Sequence, residues 1–392
     1  VLGKIFLVVY LIAQVGVSLV TEYVWERNDL VKDIGKKTRV LRIAIYTILA
    51  IIPMLGAYLP RSSFKYYCLG IGNIWFAFFM YYAPLVLIFS LIAVIIAKAR
   101  KKTRSRLVGF SLFAAFVPAL LMSAYGLYHG QEIKVVNEQI TINAEDDSLE
   151  DLRVVLIADL HISVNSRPAL TEQMVELVNE QDPDLILVAG DIFTSNMGMT
   201  HPELYTDALS QMHSTYGVYA VGGNHDVDEN LFGGFSVSPI SEAFRTQEMD
   251  DFLDAAGFTM LYDEGVTLAD GRITLLGRLD ERKAGDGTSD RLSVEDLLSD
   301  ADQSTPIFVI EHEPVEMDEL SAAGADVVFC GHTHNGQIFP GNVIVPIFNE
   351  YCYGIEDVNG MYAIVTAGAG YYGPPMRIGT DNEVMVIDIT FN

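Results

Sequence analysis

Residues 152–161 read Leu-Arg-Val-Val-Leu-Ile-Ala-Asp-Leu-His. The run Leu152–Ile157 is apolar apart from Arg153, and it ends just before Asp159 and His161. A short apolar run without alternation is what a strand buried on both faces requires, as in a parallel sheet covered by helices. The same arrangement recurs downstream. Asp184–Val188 leads to Gly190-Asp191, and Gly217–Val221 leads to Gly223-Asn224-His225-Asp226. Ile307–Ile310 leads to His312 between two glutamates, and Asp326–Phe329 leads to Gly331-His332-Thr333-His334. Strand after strand delivers polar residues at its C-terminal edge, which is where layered α/β sheets build ligand sites. Around these blocks the pattern predicts a strand over Glu132–Ile142 and a helix over Leu170–Glu180. Met361–Thr366 and Glu383–Ile389 read as strands of a second sheet, and Asn230–Ala243 reads as a loop over the site.

Imidazole and carboxylate side chains are the ligands that place two divalent metals side by side. Taken singly, each block is weak, because a lone buried histidine is usually a satisfied core residue. Five of the chain's eight histidines fall in the blocks, in order and at strand ends, which points to a paired-metal centre. Cys68, Cys330 and Cys352 form no CxxC pair and suggest neither a disulfide framework nor a zinc ribbon. Cys330 reads as a small core residue.

Charge divides the chain. Residues 1–128 carry 15 Lys+Arg against 4 Asp+Glu, a net +11; residues 129–392 carry 10 against 47, a net −37; together these give the overall −26. The acidic half repels nucleic-acid backbones and argues against DNA or RNA as a partner. The basic half contains four apolar stretches, about 2–20, 40–59, 72–97 and 107–127, each close to the ~20 residues needed to cross a bilayer. Four such runs in succession favour membrane spans over buried core helices. A domain division into 1–128 and 131–392 follows. Arg27, Lys32, Lys36, Lys37 and Arg39 follow the first span, and Lys98, Arg100, Lys101, Lys102, Arg104 and Arg106 follow the third, against only Arg61 and Lys65 after the second. By the positive-inside rule both termini and the acidic domain are extracytoplasmic. The start at Val1, without Met, leaves open a further N-terminal piece and a signal-anchor reading of the first span.

With these blocks in place, the second half resembles the calcineurin-like metallophosphoesterase superfamily. Gly331-His332-Thr333-His334-Asn335-Gly336-Gln337, followed by Pro340, is similar to the GHTHGGQ signature of its membrane-associated branch, with Asn335 where glycine is usual. Gly277-Arg278-Leu279-Asp280 and Gly368-Ala369-Gly370 with Pro375-Met376-Arg377 look like that branch too. The resemblance implies a four-layer αββα sandwich after a four-helix transmembrane region. It implies one metal on Asp159, His161, Asp191 and His334, and a second on Asp191, Asn224, His312 and His332, bridged by Asp191. It further implies hydrolysis of a phosphomonoester or phosphodiester by a metal-bridging hydroxide. In that scheme His225 assists the leaving group and Asp226 supports the loop. Arg377, one of few cations in the acidic half, reads either as a contact to substrate phosphate or as one partner of a surface salt bridge. Manganese is the first expectation for the metals, with zinc or iron as alternatives. The family often has an acidic residue three after the bridging aspartate; Thr194 stands there and leaves the partner of His225 open. The absence of tyrosine at that position argues against an iron-tyrosinate site.

The expected partners are a phosphoester substrate, lipid-linked or soluble, and the lipid bilayer; the oligomeric state is not read from sequence. The alternative function is a metal-stabilised extracytoplasmic binding or sensor domain that signals through the spans. Completeness of the eight expected residues favours the hydrolase. A transporter is disfavoured because the spans contain almost no ionisable residue.

Overall fold

The computed structural model describes residues 2–27, 32–60, 62–100, 104–144, 146, 149–194, 201–232, 235–236 and 238–392. Arg61, Lys101 and Lys102, on which part of the orientation reading rests, lie outside the described residues. The chain forms two compact units. One comprises Val1–Tyr128 with Asn230–Val237 and Gly373–Pro375; the other comprises His129–Glu229, Ser238–Tyr372 and Met376–Asn392. Of the segment Asn230–Ala243, expected as a loop over the site, residues 230–232 and 235–236 group with the helices, and 233, 234 and 237 lie outside the described residues.

The first unit is built on helices α1 (Leu2–Arg27), α2 (Lys32–Tyr58), α3 (Ser63–Arg100) and α4 (Arg104–His129). Each contains a stretch long and apolar enough to cross a membrane: Leu7–Glu26, Asp33–Tyr58, Ser63–Ala99 and Ser111–His129. These helices run further than the apolar stretches in the sequence, because their charged ends remain helical. At 1.5 Å per residue the 38 residues of α3 extend about 57 Å, well beyond a ~30 Å hydrocarbon layer. Small residues let the helices approach: a Cβ on Gly72 would lie 2.9 Å from Pro53 Cα. Leu87, Leu91 and Ile95 point outward, as a lipid-facing surface requires.

The second unit begins with β1 (Ile133–Ile142), β2 (Leu152–Ile157), α5 (Pro168–Asn179), β3 (Leu185–Ala189), α6 (Pro202–Leu209) and β4 (Val218–Val221). The two-residue strands β5 (Leu231–Phe232) and β6 (Phe235–Ser236) belong to the first unit. The chain then continues through α7 (Gln247–Ala256), β7 (Thr259–Met260), β8 (Glu264–Leu268), β9 (Ile273–Gly277), α8 (Val294–Leu298) and β10 (Ile307–Ile310). It closes with α9 (Met317–Ala322), β11 (Val327–Cys330), α10 (Gly341–Phe348), β12 (Gly354–Val358), β13 (Met361–Val365) and β14 (Asn382–Phe391).

The strands form two six-stranded sheets, β1-β14-β2-β3-β4-β7 and β12-β13-β11-β10-β9-β8. Alternation within a single strand explains the layering. Val154 and Leu156 face the core between the sheets with Leu187, Phe308, Phe329 and Ile387. Val155 and Ile157 face the opposite way, against Met174, Val178 and Phe252 of the helical layer. On the far side of the second sheet, Val309 and Val328 pack on Leu297 and Leu320. The result is the expected αββα sandwich, and it explains why these strands read as unbroken apolar runs. One expectation is corrected. The segment expected over Glu383–Ile389 does not join the second sheet. As β14 it lies in the first, parallel to β1 and antiparallel to β2. Its residues Val384 to Ile387 are buried on both faces, so their pattern carried no information about which sheet they enter.

Strands β2, β3 and β4 are mutually parallel, as are β9, β10, β11 and β13. Both parallel sets therefore present C-terminal ends, and the polar blocks follow them.

Candidate metal centre

Asp159 and His161 follow β2, Asp191 follows β3, Asn224 and His225 follow β4, His312 follows β10, and His332 and His334 follow β11. Asp159, His161, Asp191, His332 and His334 all adopt left-handed φ values between 45° and 72°. Such conformations cost a residue with a side chain about 1 kcal/mol or more each and concentrate at functional sites. Here they turn each side chain back over the strand ends. Close backbone passage helps: a Cβ on Gly223 would lie 2.3 Å from Asp191 Oδ1, and one on Gly331 would lie 2.6 Å from Asp159 Oδ2.

The side chains converge. His161 Nε2 lies 3.0 Å from His334 Nε2, and His334 Nε2 lies 3.3 Å from Asp159 Oδ1. His161 Nε2 is 3.6 Å from Asp191 Oδ2, and the same oxygen is 3.1 Å from His312 Nε2. Asn224 Oδ1 is 3.1 Å from His312 Nε2 and 3.0 Å from His332 Nδ1. Two ligand triads emerge, Asp159-His161-His334 and Asp159-Asp191-His312, each with donor atoms within 4.8 Å of one another. All seven expected metal-site residues therefore gather at one place, with Asp191 between the His161 and His312 sides.

The donor set fits divalent cations. His312 Nδ1 donates to the Ala189 carbonyl at 2.8 Å, and His161 Nδ1 meets Thr194 Oγ1 at 2.9 Å, so both rings aim Nε2 at the centre. Burial holds His161 down at about 3, and burial likewise holds His332 and His334 well below the usual histidine range. Neutral imidazole is the ligand form. Burial alone would also lower His312, yet Asp191, by charge and by hydrogen bond, with Asp159 and Asp280, holds it well above its ordinary value. Burial pushes Asp159 up to about 7. A field negative enough to keep a buried imidazole protonated is one that attracts cations.

His225 lies at the rim, with 12 % of its side chain exposed. Its Nδ1 is 2.8 Å from Glu229 Oε1. Glu229 Oε2 accepts from Lys283 Nζ at 2.6 Å, and the same ammonium donates to the Asn224 carbonyl at 2.9 Å. Tyr372 stacks on the His225 ring with centroids 4.4 Å apart. Gln337 holds that tyrosine by accepting from its N–H at 2.8 Å and donating to its carbonyl at 3.0 Å. No motif or periodic pattern in the sequence marks Lys283 or Tyr372 as neighbours of His225. The available signal was Glu229, four residues after His225, a spacing that lets one carboxylate reach back. Thr194, at the position where an acid is frequent, contacts His161 rather than His225.

Two expected residues sit differently from the rest. Asp226 is buried, with Oδ1 accepting from Phe193 N–H and Oδ2 from Gly223 N–H, both at 2.8 Å. It clamps the β4 loop to the β3 loop. Arg377 was expected on substrate phosphate, but it is fully buried. Its Nε donates to Asn382 Oδ1, Nη1 to the His334 carbonyl, and Nη2 to the Ala367 and Gly370 carbonyls. The guanidinium braces the His334 turn from behind instead of facing the cleft.

Residues 152–336 match the family described as calcineurin-like phosphoesterase. A Danio rerio protein described as a transmembrane protein with metallophosphoesterase domain is 27 % identical over 82 % of this chain and 72 % of its own length. An uncharacterized metallophosphoesterase of Helicobacter pylori is 30 % identical over 60 % of this chain and 59 % of its own length. The chain thus spans under two thirds of that relative. Another uncharacterized metallophosphoesterase, from Campylobacter jejuni, is 23 % identical over 98 % of this chain and 99 % of its own.

Proposed function

Residues 152–336 form a calcineurin-like phosphoesterase domain, and from that premise we propose that the protein hydrolyses a phosphomonoester or phosphodiester at a two-cation centre, anchored to a bilayer by α1–α4. The observation that carries the reading is the convergence of four imidazoles, two carboxylates and an Asn carbonyl at the shared C-terminal edge of two sheets. Asp159, His161, Asp191 and His334 would hold one cation; Asp191, Asn224, His312 and His332 would hold the other. Divalent cations there, manganese first and zinc or iron as alternatives, supply charge for the phosphoryl oxygens and acidify water.

The remaining work belongs to the chain's own groups. Glu229 occupies His225 Nδ1, so His225 presents Nε2 to the cleft, placed to protonate the leaving oxygen. Tyr372 limits rotation of that ring by stacking. Asp226 keeps the loop carrying Asn224 and His225 against Asp191, whose Oδ1 accepts the His225 N–H at 2.8 Å. Arg377, through the His334 carbonyl, fixes the last ligand turn. The positive-inside bias of residues 27–39 and 98–106 supports an extracytoplasmic domain.

The test is Asp191→Ala, assayed on bis-p-nitrophenyl phosphate with added manganese. Turnover falls below detection and bound metal falls from about two ions per chain. Wild-type turnover in that variant would sink the two-cation reading.

A further inference from the structure

Helix α10 carries Asn-Val-Ile-Val-Pro-Ile-Phe after Gly341, and none of its residues is buried. Val343, Ile344, Ile347 and Phe348 are 56 %, 45 %, 72 % and 80 % exposed. Phe339, just before the helix, is 46 % exposed. No charged residue occurs from Ile338 to Phe348, in a half of the chain that holds 47 carboxylates. A contiguous exposed apolar strip of this kind marks an interaction surface rather than ordinary surface scatter.

Its location names the occupant. Asn342 Nδ2 donates to the Gly379 carbonyl at 3.3 Å, and Thr380 Oγ1 donates to the Gln337 carbonyl at 2.8 Å. The same loop receives the chain as it leaves α4: His129 Nε2 pairs with Asp381 Oδ1 at 2.8 Å, and Asn382 Nδ2 donates to the Gly130 carbonyl at 2.8 Å. The apolar helix is therefore fastened to the edge of the domain at which a membrane-length helix delivers the chain, with only residues 130–132 between that helix and β1. The segment is also tied to the ligand turn. Thr333 Oγ1 donates to the Cys352 carbonyl, and Arg377 joins the His334 carbonyl to Asn382.

We propose that α10 lies in the interfacial layer of the bilayer, with Ile344, Ile347 and Phe348 among the lipid headgroups and upper acyl chains, and so holds the ligand turn of His332 and His334 close to the membrane surface. The proposal rests on the membrane reading of α1–α4. An uncharged helix face gains from burial in a zwitterionic interface without bringing carboxylates into contact with it.

The experiment uses the full chain reconstituted in phosphatidylcholine bilayers. Phe348→Cys is labelled with an environment-sensitive fluorophore, and the wild-type chain, whose Cys68, Cys330 and Cys352 are buried, serves as background. Lipids spin-labelled near the headgroup are expected to quench the label at least threefold more than aqueous iodide does. Ile344→Glu with Ile347→Glu in the labelled chain is expected to reverse that preference. Quenching by iodide alone overturns the proposal. So does protection from both quenchers together with cross-linking between two copies, which would make α10 a self-association face. Neither readout requires turnover, so loss of the phosphoesterase reading leaves this test intact.

Discussion

Glu229→Gln separates leaving-group assistance from metal binding. The substitution keeps the side-chain shape and removes the charge that faces His225 Nδ1 at 2.8 Å. Burial alone would raise Glu229, but its hydrogen bond to His225, the His225 charge and Lys283 together hold it below its ordinary 4.5. The carboxylate is therefore ionised at neutral pH. Its stabilising contribution is present above pH 4.5 and is lost as pH falls through the lowered folded-state value. A hydrogen bond to a charged group contributes about 1.5–3 kcal/mol. At about 1.4 kcal/mol per factor of ten, loss of that interaction in the transition state slows the step it serves by roughly tenfold to a hundredfold. The assay compares kcat for phenyl phosphate, whose leaving oxygen needs a proton, with kcat for p-nitrophenyl phosphate, whose leaving group departs as an anion. The expected result is the full loss on phenyl phosphate, less than about threefold on p-nitrophenyl phosphate, and unchanged metal content. Equal losses on both esters, or loss of metal, would refute the assignment of Glu229 as the residue that positions His225.

Other expected outcomes follow from the same geometry. Gly223→Ala sets a Cβ 2.3 Å from Asp191 Oδ1 and 2.4 Å from Asp191 N, so Asp191 must shift; the strain costs about 1–3 kcal/mol of stability, and metal occupancy and Tm both fall, whereas Gly222→Ala, with nothing within 4 Å, leaves metal content intact. Cation binding at pH 6 releases protons, because burial keeps Asp159 protonated up to about 7 and the surrounding carboxylates keep His312 protonated above its usual range; affinity for manganese therefore rises with pH, and calorimetry in two buffers of different ionisation enthalpy reads a release of about two protons. Zero release would contradict that electrostatic picture. Protease added to intact cells digests residues beyond 129 if the positive-inside bias sets orientation, and complete protection would reverse the topology.

Much of the centre was legible in the chain itself. Asp159, His161, Asp191, Asn224, His312, His332 and His334 each follow an apolar run, and a strand buried on both faces has to be such a run. Position at strand ends therefore marked the polar blocks, the family resemblance singled out the ligands within them, and the charge split with four long apolar stretches carried the helical half. Tertiary structure decided the rest, because partners far apart in sequence have no periodic signature. Lys283 reaches Glu229 across 54 residues, and Tyr372 reaches His225 across 147. Thr194 occupies the position of a frequent acid yet turns to His161, so the residue type at one position did not reveal the partner of His225. Arg377 stood out as one of few cations in an acidic half and read as a phosphate contact. Only the packed loops around it showed that its donors are consumed by backbone carbonyls. The last strand illustrates the same boundary. Hydrophobic pattern specified a strand over residues 383–389, but both sheets offer the same two-sided burial, and only the pairing of β14 between β1 and β2 chose one. Local pattern determines what a segment must bury; long-range packing determines against what.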